Sequence, residues 1–279
     1  MKKILLAINA DHVDTEIIHF ACNIATQTHS ALTGFFITPY REEEQVINMA
    51  FGMPYVENLV VKELPGMAAI KEKLELHISQ FERTCAVKGV RCNVVCSNTQ
   101  FAAQSIIEES RFADLLIMQA NMTFEDKLEE APTGFVKEVL AEAECPVLVA
   151  PLNLEDINEI VFAYDGSRAA VFAIKQFTYL FPELADKKAI VLQVNKDDTL
   201  PVTEKEKLGK WLRMHYSSIG FQVLQGKPTD ELFGYLLGKK NTIVVMGAYG
   251  RNWLSELFKP ATAGLLLKAI NLPFFITHY

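Results

Sequence analysis

The chain has 279 residues, with 27 lysines and arginines against 34 aspartates and glutamates for a net charge of −7, and half of its residues are hydrophobic. That balance argues against nucleic acid or an anionic membrane as the main partner, and no apolar run approaches the ~20 residues that a spanning helix needs. The length suits two domains of ordinary size, each able to bury its own core. Five cysteines form an odd set, with Cys22, Cys85 and Cys145 in apolar contexts, which fits small core side chains in a reducing cytoplasm.

In chain order, Met1, Lys2 and Lys3 ahead of an apolar run have the outline of a secretory leader, but the run breaks at Asn9 and Asp11. An equivalent run stands internally at Ile160, so a buried strand at 4–8 is expected instead. Apolar residues at Ile17, Ile18, Ala21, Ile24 and Ala25 have helical spacing and predict a helix over 15–26. Strands at 32–37, 91–96, 115–118 and 147–149 then alternate with helices at 67–86, 101–110 and 134–143. The polar stretch 151–159 reads as a linker. Beyond it the order returns: strands at 160–164, 189–194, 221–224, 242–246 and 274–276, with helices at 169–180, 203–217, 230–237 and 262–270. Alternating strands and helices imply right-handed crossovers and a parallel sheet covered on both faces, as the continuous Val/Ile/Leu runs require.

The two halves are copies. DLLIM at 114–118 and CPVLV at 145–149 recur as TIVVM at 242–246 and LPFFI at 272–276. The offset is uneven: Ile4 matches Ile160 and Ile37 matches Val194, but Met118 matches Met246, which leaves the first half with extra residues within 38–65. That segment carries Val46, Ile47, Met49, Phe51, Met53, Tyr55 and Val56, and reads as a flap packed on its own domain or an arm reaching a neighbour.

Chemistry points to the second half. Gly247-Ala-Tyr-Gly250-Arg251 follows a buried strand, where the carboxyl ends of parallel strands collect ligands; glycines there let backbone amides approach a phosphate, or simply shape a tight turn. Tyr164-Asp165-Gly166-Ser167 ends the first strand of the same half. Asp165 there accepts hydrogen bonds from a base or ribose, or else Asp165 or Ser167 caps the helix that follows. Asn9 replaces the strand-end aspartate in the first half, and Gln119 to Met122 contains no glycine, so no anion cradle is expected there. His12, His19, His215 and His278 are scattered without a positioned partner, with His278 expected to face solvent, and no enzyme is expected. Cys92 and Cys96 share a strand face, but no second ligand pair accompanies them and no metal site is expected.

These residues resemble the universal stress protein family in its tandem two-domain form, over nearly the whole chain: Asp-Gly-Ser at 165–167, Met-Gly-x-x-Gly-Arg at 246–251, and a Cys-Pro or Leu-Pro strand closing each half. The resemblance implies an α/β fold of two flavodoxin-like (adenine nucleotide alpha-hydrolase-like) domains. Each would be a five-stranded, mainly parallel sheet with helices on both faces, packed as a pseudo-twofold pair through antiparallel terminal strands. Domains at 1–151, a degenerate copy, and 158–279 follow. A cytoplasmic stress-response or regulatory role is implied, with ATP or another adenine nucleotide and magnesium as ligand. It would be held in the second half by Asp165, Gly166, Ser167, Val194, Gly247, Gly250, Arg251 and Thr262. The family signature continues from the second glycine through nine residues to Gly and Ser or Thr, where this chain has Pro260 and Ala261. Proline has no amide hydrogen, and losing two or three hydrogen bonds to a charged group at ~1.5–3 kcal/mol each weakens any such site. The competing reading is a nucleotide-independent interaction scaffold. Assembly is read as an intramolecular pseudo-dimer, with a homodimer of whole chains also open to it.

Overall fold

The apolar runs become strands, the inner ones covered on both faces and the two at the sheet edges only partly buried. The computed structural model describes residues 1–39, 65–125, 129–151, 157–195, 202–247 and 271–278; the expected helix at 262–270 and nearly all of the extra segment 38–65 lie outside these. In the first half β1 (Lys3–Asn9), α1 (Thr15–Gln27), β2 (Ala31–Pro39), α2 (Pro65–Val87), β3 (Cys92–Thr99), α3 (Ala102–Ser110), β4 (Leu115–Gln119), α4 (Gly134–Glu142) and β5 (Val147–Ala150) follow one another. In the second, β6 (Glu159–Ala163), α5 (Arg168–Leu180), a 3-10 turn at Pro182–Leu184, β7 (Lys188–Asn195), α6 (Val202–Leu212), β8 (Ser218–Gln225), α7 (Pro228–Leu236), β9 (Thr242–Gly247) and β10 (Phe274–Thr277) repeat the order.

The ten strands among the described residues form one sheet, in the order β3-β2-β1-β4-β5-β10-β9-β6-β7-β8. Every described neighbour pair is parallel except the central one, where β10 runs antiparallel to β5 with Phe274 opposite Val149, Phe275 opposite Leu148 and Ile276 opposite Val147. Each half therefore has the same internal order, reversed about this seam, and the pseudo-twofold expected from the repeat is the architecture observed. Pairing the two terminal strands covers apolar edges that would otherwise recruit other chains.

The core is divided by sheet face rather than by half. Phe36, Phe81, Phe162, Phe177 and Phe275 belong to one continuous apolar cluster on one face; Phe35, Met118, Val136, Leu192, Leu232 and Phe274 belong to the cluster on the other. Phe275 at the seam packs edge-on against Phe177 (centroids 5.2 Å) and Phe181 (5.9 Å). Such pairs contribute about 0.5–1.5 kcal/mol beyond area burial.

One helix is shorter than its periodicity suggests. The expected 203–217 ends at Leu212, and the following strand begins at Ser218 rather than 221. Tyr216 turns inward, its hydroxyl 3.0 Å from Thr178 Oγ1 and its ring against Phe162, and the Ser217 amide donates to the Ala185 carbonyl. Burying that aromatic under β6 pulls the chain out of the helix and into the sheet.

Candidate functional site

The chain leaves the carboxyl end of β6 through Tyr164-Asp165-Gly166-Ser167. The Tyr164 amide donates to the Leu192 carbonyl at 2.9 Å, keeping this crest beside β7. Asp165 Oδ1 accepts the Ser167 amide at 2.9 Å and so shapes the turn. Gly166 has φ +78°, in the left-handed region where glycine carries no Cβ penalty. Ser167 is the cap of α5, its Oγ accepting the Ala170 amide at 3.1 Å. Of the two capping readings open for Asp165 and Ser167, the serine takes the role, and the aspartate stays exposed at the crest.

Asp165 borders a cavity of about 190 Å³ that it shares with Ala163, Tyr164, Leu192, Val194, Pro228 and Leu232. This is below the ~300–1,000 Å³ of a typical small-molecule pocket, so it suits a flat ring rather than a whole nucleotide. Pro228 is the first residue of α7. Gly226, just before it, has φ +146°, and a Cβ there would stand 2.6 Å from Glu231 Oε1.

Gly247 ends β9, where a Cβ would lie 2.4 Å from the carbonyl carbon of Ala169 and 2.5 Å from its oxygen. The first turn of α5 therefore requires a glycine beneath it, whatever ligand is present. Thus the structure brings Asp165 and Val194 to one cavity, places Gly166 and Ser167 on a second, larger one on the other face of the sheet, and packs Gly247 against α5. Gly250, Arg251 and Thr262 lie outside the described residues, as do Pro260 and Ala261. Tyr164, Leu192, Pro228 and Leu232 were missed by the sequence reading; a proline two residues past Gly226 was the available sign of a helix opening beside β7.

Tyr164 joins both cavities. Burial and the Glu204 carboxylate, 3.4 Å from its hydroxyl, push its pKa up to about 12, so at neutral pH it is a neutral donor. His278 departs from expectation: it is half-buried beside the Leu140 backbone of α4, and burial holds its imidazole pKa below the ordinary value. The five cysteines are free thiols, with Cys22 and Cys85 buried and their sulfurs 3.6 Å apart.

The first-half crest is closed by its own side chains. Asn9 Oδ1 accepts the Asp11 amide at 2.9 Å, while its Nδ2 donates to the Thr123 carbonyl at 2.8 Å. Gln119 Nε2 donates to Asp14 Oδ2 at 2.7 Å, and the other Asp14 oxygen accepts the Glu16 amide as the cap of α1. Buried Thr133 caps α4 and its hydroxyl donates to the Met122 carbonyl.

No family model matches the chain. A universal stress protein of Synechocystis sp. is 22% identical over 284 aligned positions, which cover 98% of each chain. Among solved structures, a universal stress protein from Archaeoglobus fulgidus matches the fold with a TM-score of 0.70 at 12% identity, covering 99% of this chain and 98% of its own. A putative universal stress protein from Pseudomonas aeruginosa does so with a TM-score of 0.56 at 18% identity, covering 100% and 93%.

Proposed function

We propose that this chain, which resembles universal stress proteins in sequence and fold over nearly its whole length, is a tandem member of that family and serves a cytoplasmic stress-response or regulatory role as a nucleotide-responsive binding protein rather than an enzyme. In this reading the unit 158–279 takes an adenine nucleotide, with magnesium on its phosphates, and the unit 1–151 takes none. The observation that carries it is the crest of β6 and β7, where the exposed Asp165 carboxylate and Val194 border a ring-sized apolar cavity. An adenine there stacks against Leu192 and Leu232, and Asp165 accepts hydrogen bonds from the base or ribose. Gly250, Arg251 and Thr262 are the residues proposed to meet the phosphates.

Calorimetry with magnesium ATP tests this. The parent should bind one equivalent, and Asp165→Ala should bind at least about tenfold more weakly, the loss of roughly one charged hydrogen bond. Equal affinity in the two proteins, or no binding by the parent, would remove the nucleotide reading. A scaffold without nucleotide is the second reading, favoured by the fit of Gly247 against Ala169, which accounts for that glycine without a ligand.

A further inference from the structure

On the opposite face of the second half, α5 and α6 stand apart around a cavity of about 610 Å³. Its inner surface belongs to the apolar cluster that contains Ile174 and Leu208, whereas Leu192 and Leu232 of the crest cavity belong to the other cluster. The size is that of a small-molecule pocket. Trp211 and Phe172 supply aromatic walls, and Trp211 is held in place by His215, with ring centroids 4.4 Å apart.

Charge around this cavity runs against that of the whole chain. Arg168, Lys175 and Lys207 line it together with a single carboxylate, Glu204, in a protein whose net charge is −7. Glu204 is engaged by the Tyr164 hydroxyl, whereas the three cations have no ion pair or hydrogen bond with any described residue. A local excess of positive charge beside an apolar cavity concentrates organic anions.

In the first half the corresponding helix, α2, is tied to the β1 crest by His77 Nδ1 against the Ala10 carbonyl at 2.9 Å and Lys73 Nζ donating to the Asp11 carbonyl at 2.8 Å. Strand register puts Cys92 beside Leu32 and Ile219 beside the equivalent Ala189, and counting back equally far along the chain from Cys92 and Ile219 sets Leu208 at the place of Phe81 and Glu204 at that of His77. The sealing histidine has thus become an acid that turns toward Tyr164.

We propose that the α5–α6 cavity binds a small aromatic anion, its flat apolar body against Trp211 and Phe172 and its acid group among Arg168, Lys175 and Lys207. This site is separate from the nucleotide reading and stands or falls without it.

The full chain titrated with anilinonaphthalene sulfonate, and in parallel with the uncharged phenylnaphthylamine, tests the proposal. The sulfonate should saturate at one equivalent, with tryptophan-to-dye energy transfer that falls in Trp211→Phe, which leaves Trp253 as the remaining donor. The triple variant Arg168→Glu, Lys175→Glu and Lys207→Glu, all exposed positions, should melt like the parent. It should bind the sulfonate at least about tenfold more weakly while changing the neutral dye by less than about twofold. Unchanged sulfonate binding by that variant would overturn the proposal, as would equal weakening of both dyes. Displacement of the dye by magnesium ATP in the parent but not in Asp165→Ala would place the dye in the crest cavity and would overturn it too.

Discussion

The crests of β1 and β6 share one hydrogen bond and part at the side chain that makes it. Asn9 and Asp165 each accept the amide two residues ahead at 2.9 Å. Asn9 also has a nitrogen, and that nitrogen donates to the Thr123 carbonyl and ties the loop after β4 down. Asp165 has a second oxygen instead of that nitrogen and cannot donate, so it makes no such tie. Gln119, at the position of Gly247, adds a second tie through Asp14. One copy of a repeat can thus tie its crest down without losing the fold, because the added hydrogen bonds lie outside the shared core.

The largest expected break is at the seam, because the halves differ at their crests yet share both cores. Phe275→Ala should cost about 3–5 kcal/mol, the range for a buried aromatic truncation. Hydrogen exchange should accelerate on both sides, in β5 and in α5; acceleration in the second half alone would show that the halves are mechanically independent. Next, Gly247→Ala should cost about 1–3 kcal/mol by urea unfolding, since the added methyl meets the Ala169 backbone, which cannot rotate away. Gln119→Ala at the matching place should cost about 1 kcal/mol, one hydrogen bond; equal costs would mean the two crests pack alike.

Asn9→Asp sets a carboxylate against the Thr123 carbonyl and removes one of the two ties at that crest, a loss of about 1–3 kcal/mol. The reverse exchange, Asp165→Asn, keeps the turn and should stay within about 0.5 kcal/mol by thermal unfolding. If both exchanges are silent, the amide nitrogen is not what closes the first crest.

The smallest effect lies at the opposite ends of the strands, where Glu159 faces Lys239 at 2.5 Å and Lys188 at 3.0 Å, and Lys3 stands at the matching position with Glu109. Burial alone would raise the Glu159 pKa, but hydrogen bonds from Lys239 and Lys188 outweigh it and leave the pKa below the usual carboxylate value of 4.5. A lowered folded-state pKa stabilises above the unfolded value and loses that contribution as pH falls through the folded one. The stability gap between the parent and Glu159→Gln should therefore be flat from neutrality to about pH 5 and narrow below it. A gap still undiminished at about pH 3 would remove Glu159 as its source.

The strands were legible because burial on both faces writes itself as unbroken runs such as Ile4 to Ile8, and the seam because both halves end in a Pro-led apolar strand. Tyr216 was not legible as a helix stop, since its reason for turning inward is a hydroxyl partner, Thr178, on another helix. His278 was misread for a similar cause: its surroundings come from α4, far away in sequence. At the crest the residue types were informative but their division of labour was not. Whether Asp165 or Ser167 caps depends on the geometry of one left-handed glycine, and the need for Gly247 depends on where Ala169 comes to rest.

Joining β5 to β10 within one chain changes how the assembly forms. Two separate copies would meet by collision, at a rate set by their abundance, and each would meet partners identical to itself. Here a short connection between Ala150 and Glu159 holds the mates at an effective concentration that linkers of this kind set in the millimolar range. Pairing therefore persists under any dilution of the protein. Each edge always finds the same non-identical mate, so Val147 to Val149 and Phe274 to Ile276 are free to diverge as a matched pair.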